Sequence, residues 1–227
     1  MDLFYAIING EVLTVILLLL SRAFVIFCCT PVHEFAHGYA AYKLGDDTAK
    51  YQGRLTLNPL AHLDPIGTIM IFLFGFGYAK PVQVNPTKFK NPRRDMALTA
   101  LAGPVSNMLM AFAAVFIAHF AGSFKHSGAI FSIGLFFYYA AMVNVMLAVF
   151  NLIPIPPLDG SRIFSVFLSD KKYFAIMRYE RYIMIGFMVL IATGVLNGLL
   201  SGLSSLMMKF ISIIPRLIFG DVFYIMA

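Results

Sequence analysis

Within Thr30 to Tyr42, TPVHEFAHGYAAY, two histidines and a glutamate stand at helical spacing: His33, Glu34 and His37. Residues i and i+4 share one face of a helix, so both imidazoles can reach a single zinc ion while Glu34 lies beside the position left open for water. A carboxylate there can accept a proton from the attacking water, and the chemistry such a half-site supports is hydrolysis. The surroundings separate this trio from a chance match. Three ionisable groups interrupt a run that is otherwise almost wholly apolar, and such groups are costly at membrane depth unless they serve a site.

A catalytic zinc usually takes three protein ligands and a water, so a third ligand must come from another segment. The candidates are His62 and Asp64 in the loop that follows, His119 and His126 near a later polar loop, and Asp159 in NLIPIPPLDGSR. Which of them can reach His33 depends on the elements that carry them.

The 227 residues are 60% hydrophobic and 12% charged, against roughly 45–50% and 25% in soluble domains. The chain therefore reads as an α-helical polytopic membrane protein with about five transmembrane helices, a re-entrant segment and short membrane-associated strands. The net charge of +6 comes from Lys and Arg gathered in a few inter-helix loops. That distribution is the signature of cytoplasmic loops and not of a nucleic-acid-binding face, so nucleic acid is not an expected partner. Cys28 and Cys29 are adjacent, which gives neither a disulfide framework nor a metal spacing. No basic residue precedes Arg22, and Asp2 and Glu11 are acidic, unlike a cleavable secretory signal.

The first span is expected near 23–42, with residues 3–20 extending it or lying at the interface, Pro31 loosening or kinking it and Arg22 anchoring its outer edge. Arg54 to Leu57 alternates as a brief strand would. Ile66 to Tyr78 is apolar but too short to cross, and basic residues flank it on both sides, so it should dip in and return. Tyr78 to Asn91 alternates around Val82 and Val84, as in a hairpin whose exposed edge could pair with an extended peptide. Further spans are expected near 96–121, 129–153, 182–200 and 203–219.

This topology selects the third ligand. The span ending near Ile153 returns to the side on which the His33 helix ends, so Asp159 can approach the same depth, whereas His119 and His126 are at the opposite end. Pro154, Pro156 and Pro157 forbid regular helix before Asp159, a backbone tolerable near membrane depth only inside protein or beside a wet cavity. Gly160 lets the chain turn beside a ligand.

Four motifs, His33-Glu34-Phe-Ala-His37, Asn58-Pro59-x-x-His62-x-Asp64-Pro65, Gly103-Pro104-x-x-Asn107 and Asn151-Leu-Ile-Pro154-x-Pro-Pro-Leu-Asp159-Gly160, resemble in content and order the site-2 protease family of intramembrane zinc metalloproteases. The resemblance is to the minimal branch, without PDZ or CBS domains, so residues 1–227 are expected to form a single membrane-embedded zinc metalloprotease domain. It implies one Zn2+ per chain on His33, His37 and Asp159, with Glu34 as general acid/base and Asn151 helping to polarise the scissile carbonyl. Asn58, Val82, Val84 and Asn107 are the candidate substrate-binding residues. The expected partners are a transmembrane protein or peptide substrate and the lipid bilayer, and self-association is compatible with the sequence. The active site would face the cytoplasmic side of the cell membrane. A membrane metal carrier and a catalytically silent helix-binding relative are the alternatives; the carrier lacks support from any internal repeat, and the intact Glu34 argues against the silent relative.

Overall fold

In the computed structural model, residues 3–74, 77–124, 127–169 and 178–223 are described, together with Lys172, Ala175 and Ile176. A short helix, α1 (Leu3–Ile8), leads into α2 (Val12–Lys43), a 32-residue helix with enough apolar length to cross a membrane. The span is longer than the 23–42 expected because Ser21 and Arg22 do not break it. Ser21 turns its hydroxyl onto the Leu18 carbonyl at 2.9 Å, and Arg22 finds acceptors on another element. Pro31 lacks an N–H and crowds the carbonyl four residues back, and the helix answers with a π turn over Val25–Cys29. There the Thr30 N–H and hydroxyl both reach the Val25 carbonyl.

Lys43 closes α2, and Gly45, at φ +109°, turns the chain into a loop carrying α3 (Thr48–Tyr51). Next comes α4 (Pro65–Phe74), a ten-residue apolar helix. Its first turn is capped by Asp64, whose carboxylate accepts from the Ile66 and Gly67 N–H groups at 3.0 Å each. At its other end, Arg22 donates to the Phe72 and Leu73 carbonyls at 2.8 and 2.5 Å. Arg22 is thus buried and caps α4. By Gly77 the chain is back beside α4. A Cβ on Gly67 would stand 1.8 Å from the Tyr78 carbonyl oxygen, so only glycine lets the returning strap lie this close.

That strap, residues 79–85, is extended, yet no β-strand forms among the described residues, either there or at 54–57. The reason is where its donors go. Lys80 N–H bonds the His62 carbonyl at 2.8 Å, Val82 N–H the Glu34 carboxylate at 3.0 Å, and Asn85 N–H the buried Asp46 carboxylate at 2.6 Å. Scattered acceptors replace a neighbouring strand. Arg54 ties the loop to the strap through the Ala61, Lys80 and Pro81 carbonyls. Lys88 hydrogen-bonds Asp47 and holds that carboxyl below its ordinary range.

Two long helices follow, α5 (Pro92–Gly122) and α6 (Gly128–Asn151), each apolar and long enough to span. They cross closely because small residues meet: a Cβ on Gly134 would lie 3.0 Å from both the Ala118 carbonyl and the Gly122 nitrogen. Leu17, Leu18, Val115, Tyr138, Val145 and Val149 fill the core between α2, α5 and α6. Asn144 links α6 to α2 through the Cys29 sulfur at 3.5 Å.

After an irregular turn come α7 (Asp159–Phe164), α8 (Glu180–Ala192), α9 (Asn197–Ile211) and α10 (Ile213–Phe219). The expected closing spans at 182–200 and 203–219 break elsewhere. Gly194, at φ +75°, ends the first run after a 13-residue helix. Pro215 cannot donate to the turn before it, and α9 and α10 meet at a 47° bend. The described residues thus hold three helices able to span, or four if the bent pair is one span. The chain is a helical membrane protein.

Candidate metal centre

One α-helical turn of α2 places the His33 and His37 rings edge to face, with centroids 4.6 Å apart and their Nε2 atoms 3.0 Å apart. Asp159, the first residue of α7, brings Oδ2 to 3.4 Å from His33 Nε2 and 3.2 Å from His37 Nε2. All three donors lie within 4.8 Å of one another, in the only such metal-competent cluster among the described residues. Ligand atoms at about 2.0–2.1 Å from a tetrahedral zinc stand about 3.3 Å apart, so these residues fit the ion. Asp159 therefore meets the two histidines as the topology required, while His119 lies elsewhere, bonding Val115 through Nδ1. His126 is outside the described residues.

The rings are held from behind. His37 Nδ1 lies 2.8 Å from the Thr99 carbonyl on α5; a carbonyl only accepts, so the proton sits on Nδ1 and Nε2 presents its lone pair to the cluster. Gly103, also on α5, touches both imidazoles, and a Cβ there would stand 2.3 Å from His37 Nε2 and 2.6 Å from His33 Cε1. The Pro-rich turn delivers Asp159 because Gly160 packs against the Leu152 and Ile153 carbonyls, with room for no side chain.

Glu34 is buried next to the cluster, and its Oε2 accepts from Val82 N–H. A cavity of about 360 Å³ opens beside it, lined by His33, Glu34, Asn107, Asn151 and Asp159 and walled by apolar groups including Met70, Ile71, Leu147 and Phe187. A second, smaller cavity is lined by Glu34, His37, Asp159, Val82 and Val84.

The remaining candidates divide. Asn107 is buried at the cavity with Oδ1 unpartnered. Asn151 also lines it, its amide donating to the Leu147 carbonyl at 3.0 Å. Val82 is buried and spends its N–H on Glu34, whereas Val84 faces the smaller cavity. Asn58 lines neither cavity; it caps the 3-10 turn Pro59–Ala61 by accepting from Leu60 N–H. His62, fully buried, bonds the Thr56 carbonyl at 2.8 Å and with Asp64 orders the same loop. Sequence reasoning missed Thr99 and the Val82 N–H, which act through the backbone and leave no mark in side-chain identity. It also passed over Arg162, which borders both cavities.

The sequence pattern of peptidase family M50 matches residues 123–193, the stretch containing Asn151 and Asp159. The chain is 47% identical over 165 residues to "Putative zinc metalloprotease YwhC" of Bacillus subtilis, covering 71% of this chain and 75% of that protein. It is 29% identical over 171 residues to the similarly named Rip2 of Mycolicibacterium smegmatis, covering 73% and 64%. With MJ0611 of Methanocaldococcus jannaschii, another so named, it shares 30% over 134 residues, 58% and 62% of the two chains. No solved structure matches it.

Proposed function

We infer the function from one premise: the chain belongs to peptidase family M50, the site-2 proteases. On that premise the protein is an intramembrane zinc metalloprotease that hydrolyses peptide bonds within or near transmembrane segments of its substrates. The observation that carries this reading is the meeting of His33, His37 and Asp159 within 4.8 Å, beside buried Glu34, on helices that are apolar enough to span.

His33, His37 and Asp159 would hold one zinc, leaving a fourth position open. When bound, the metal supplies Lewis acidity that makes coordinated water acidic near neutral pH. Glu34 accepts the proton of the attacking water on its carboxylate and returns it to the leaving amine. Asn151 and Asn107 offer amides to the scissile segment inside the apolar cavity, where a hydrogen bond to a developing charge is worth more than in water. Val84, at the smaller cavity, gives an unwound substrate a backbone edge to pair with.

Placing α2, α5 and α6 across the bilayer, with α9 and α10 as a bent fourth span, makes α4 and its returning strap a re-entrant segment. The basic loops then lie on the cytoplasmic side, and the metal centre opens toward it. The whole chain acts as one domain.

The test is cleavage of a membrane-embedded helical reporter by purified protein in liposomes, with Glu34→Gln beside wild type. The variant should keep its zinc and lose about 10²–10⁴-fold in rate. Full activity in Glu34→Gln would end the protease reading, and cation uptake by that variant at the wild-type rate would support a carrier.

A further inference from the structure

Arg22 is a cation inside the first span that the proposed chemistry does not use. It lies eleven residues before His33, about 16 Å along the helix, and twenty-one before Lys43, about 31 Å. Only 5% of it is exposed. A buried charge is costly unless it has partners, and Arg22 donates to the Phe72 and Leu73 carbonyls, in the last turn of α4.

Any helix leaves its last four carbonyls without intrahelical donors. Where α4 ends, the buried Arg22 side chain supplies donors to two of them. A guanidinium suits the task, because the two N–H groups of Nη1 can serve two adjacent carbonyls and its charge opposes the negative end of the helix. The other end of α4 is fixed by Asp64, and its middle by Ile71 packed among Val25, Ile26 and Cys29. The segment is clamped along its length.

What the clamp holds is a wall of the site. Met70, Ile71, Gly77 and Tyr78 line the 360 Å³ cavity, and the strap continues from there to Val82, whose N–H reaches Glu34. A Cβ on Gly77 would stand 2.4 Å from the Gly67 carbonyl and 2.8 Å from Ile71 Cγ1, so any slip of α4 displaces the strap as well. We propose that Arg22 is a positioning residue for substrate: by capping α4 it sets the cavity wall against which the substrate segment binds. This rests on the reading that the cavity receives substrate.

Two readouts test it in zinc-loaded protein carrying Cys28→Ser. The first needs no substrate: the rate at which a maleimide labels Met70→Cys, on the clamped wall, compared with Leu147→Cys on α6 across the cavity. Arg22→Met should speed labelling at position 70 by about tenfold, the equivalent of one lost charged hydrogen bond, and leave position 147 unchanged. The second is the kinetic split on the helical reporter, where KM should rise by about tenfold while kcat and zinc content stay within about twofold; Arg22→Lys should restore most of both. Should Arg22→Met fail to fold, Arg22→Gln, which keeps a shorter donor, carries the same readouts. Unchanged labelling and KM would overturn the proposal. So would faster labelling at both positions with loss of zinc, which would make Arg22 a support of the whole fold. A wild type that cleaves nothing would sink the protease reading and leave the labelling result to decide the clamp.

Discussion

At the scale of single residues, the metal centre depends as much on an absent side chain as on those present. Gly103 presses α5 against both imidazoles, and a methyl group there would overlap His37 Nε2 at 2.3 Å. Nothing at that contact is flexible, since His37 is pinned through Nδ1 to Thr99. Gly103→Ala should therefore weaken zinc binding by about 10–100-fold, as disturbed outer contacts of metal ligands do, and cost about 1–3 kcal/mol in stability through overpacking. Elemental zinc content and thermal denaturation measure the two. Gly198→Ala, with nothing within 4 Å of the added methyl, is the matched control: zinc should be unchanged and stability equal or slightly higher, as a helical Gly→Ala exchange gives. If Gly103→Ala kept full zinc, α5 would be free to withdraw and the contact would not define the site. His33, Glu34 and His37 were legible in the sequence because helical periodicity puts the two histidines on one face with Glu34 beside it. Gly103 was legible only as part of a motif, since a glycine on a membrane helix signals close packing without saying against what.

Among the elements, the strap from Ala79 to Asn85 carries most of what sequence could not predict. Its alternation suggested a strand, but alternation reports only which side chains face inward; the inward N–H groups at Lys80 and Val82 meet a lone carbonyl and a carboxylate. Two prolines two residues apart separate what the strap does for the site from what it does for substrate. Val82→Pro removes the N–H that orients Glu34. It should cost about 1–3 kcal/mol by leaving a buried carboxylate oxygen short of a donor, and lower cleavage with zinc retained. Val84→Pro touches no bond to the site, so melting and zinc should be unchanged; if substrate pairs with this edge, cleavage falls about tenfold. Fully preserved cleavage in Val84→Pro would show that substrate does not pair there. Pro31 was a clearer signal. The sequence predicted a helix loosened or kinked before the metal site, and the π turn at Val25–Cys29 is the loosening. Residues eleven apart are nearly in phase on a regular helix, but one extra residue in a turn rotates them by about 100°. Arg22 can thus face α4 while His33 faces α5, a consequence hidden from any reading that treats the span as uniform.

For the molecule as a whole, Asp159 was expected beside the histidines because the Pro-rich turn and the end of the His33 helix were assigned to one side, and the meeting of the three side chains agrees with that assignment. The Pro-rich turn and the His33 helix must end at the same side, where Lys43, Lys50, Arg54, Lys80, Lys88 and Lys90 also lie in sequence. The C-terminal third was less legible, because hydrophobic length does not reveal where Gly194 and Pro215 interrupt it. The orientation is open to a direct check. At 31 residues α5 is about 46 Å long, more than a hydrocarbon core of about 30 Å, which is enough for its two ends to emerge on opposite faces. Gly103 sits eleven residues from the start, about 16 Å in, which in that placement puts the metal centre nearer the basic face, where Arg162 borders both cavities. Lys90 and Ser123 are exposed just beyond the two ends. In a Cys28→Ser background, Ser123→Cys should react with an impermeant maleimide on intact cells, and Lys90→Cys only after permeabilisation. Labelling of both from one side would mean that α5 does not cross. Labelling with the sides exchanged would turn the metal centre outward, and the substrate would then have to be approached from the other face of the membrane.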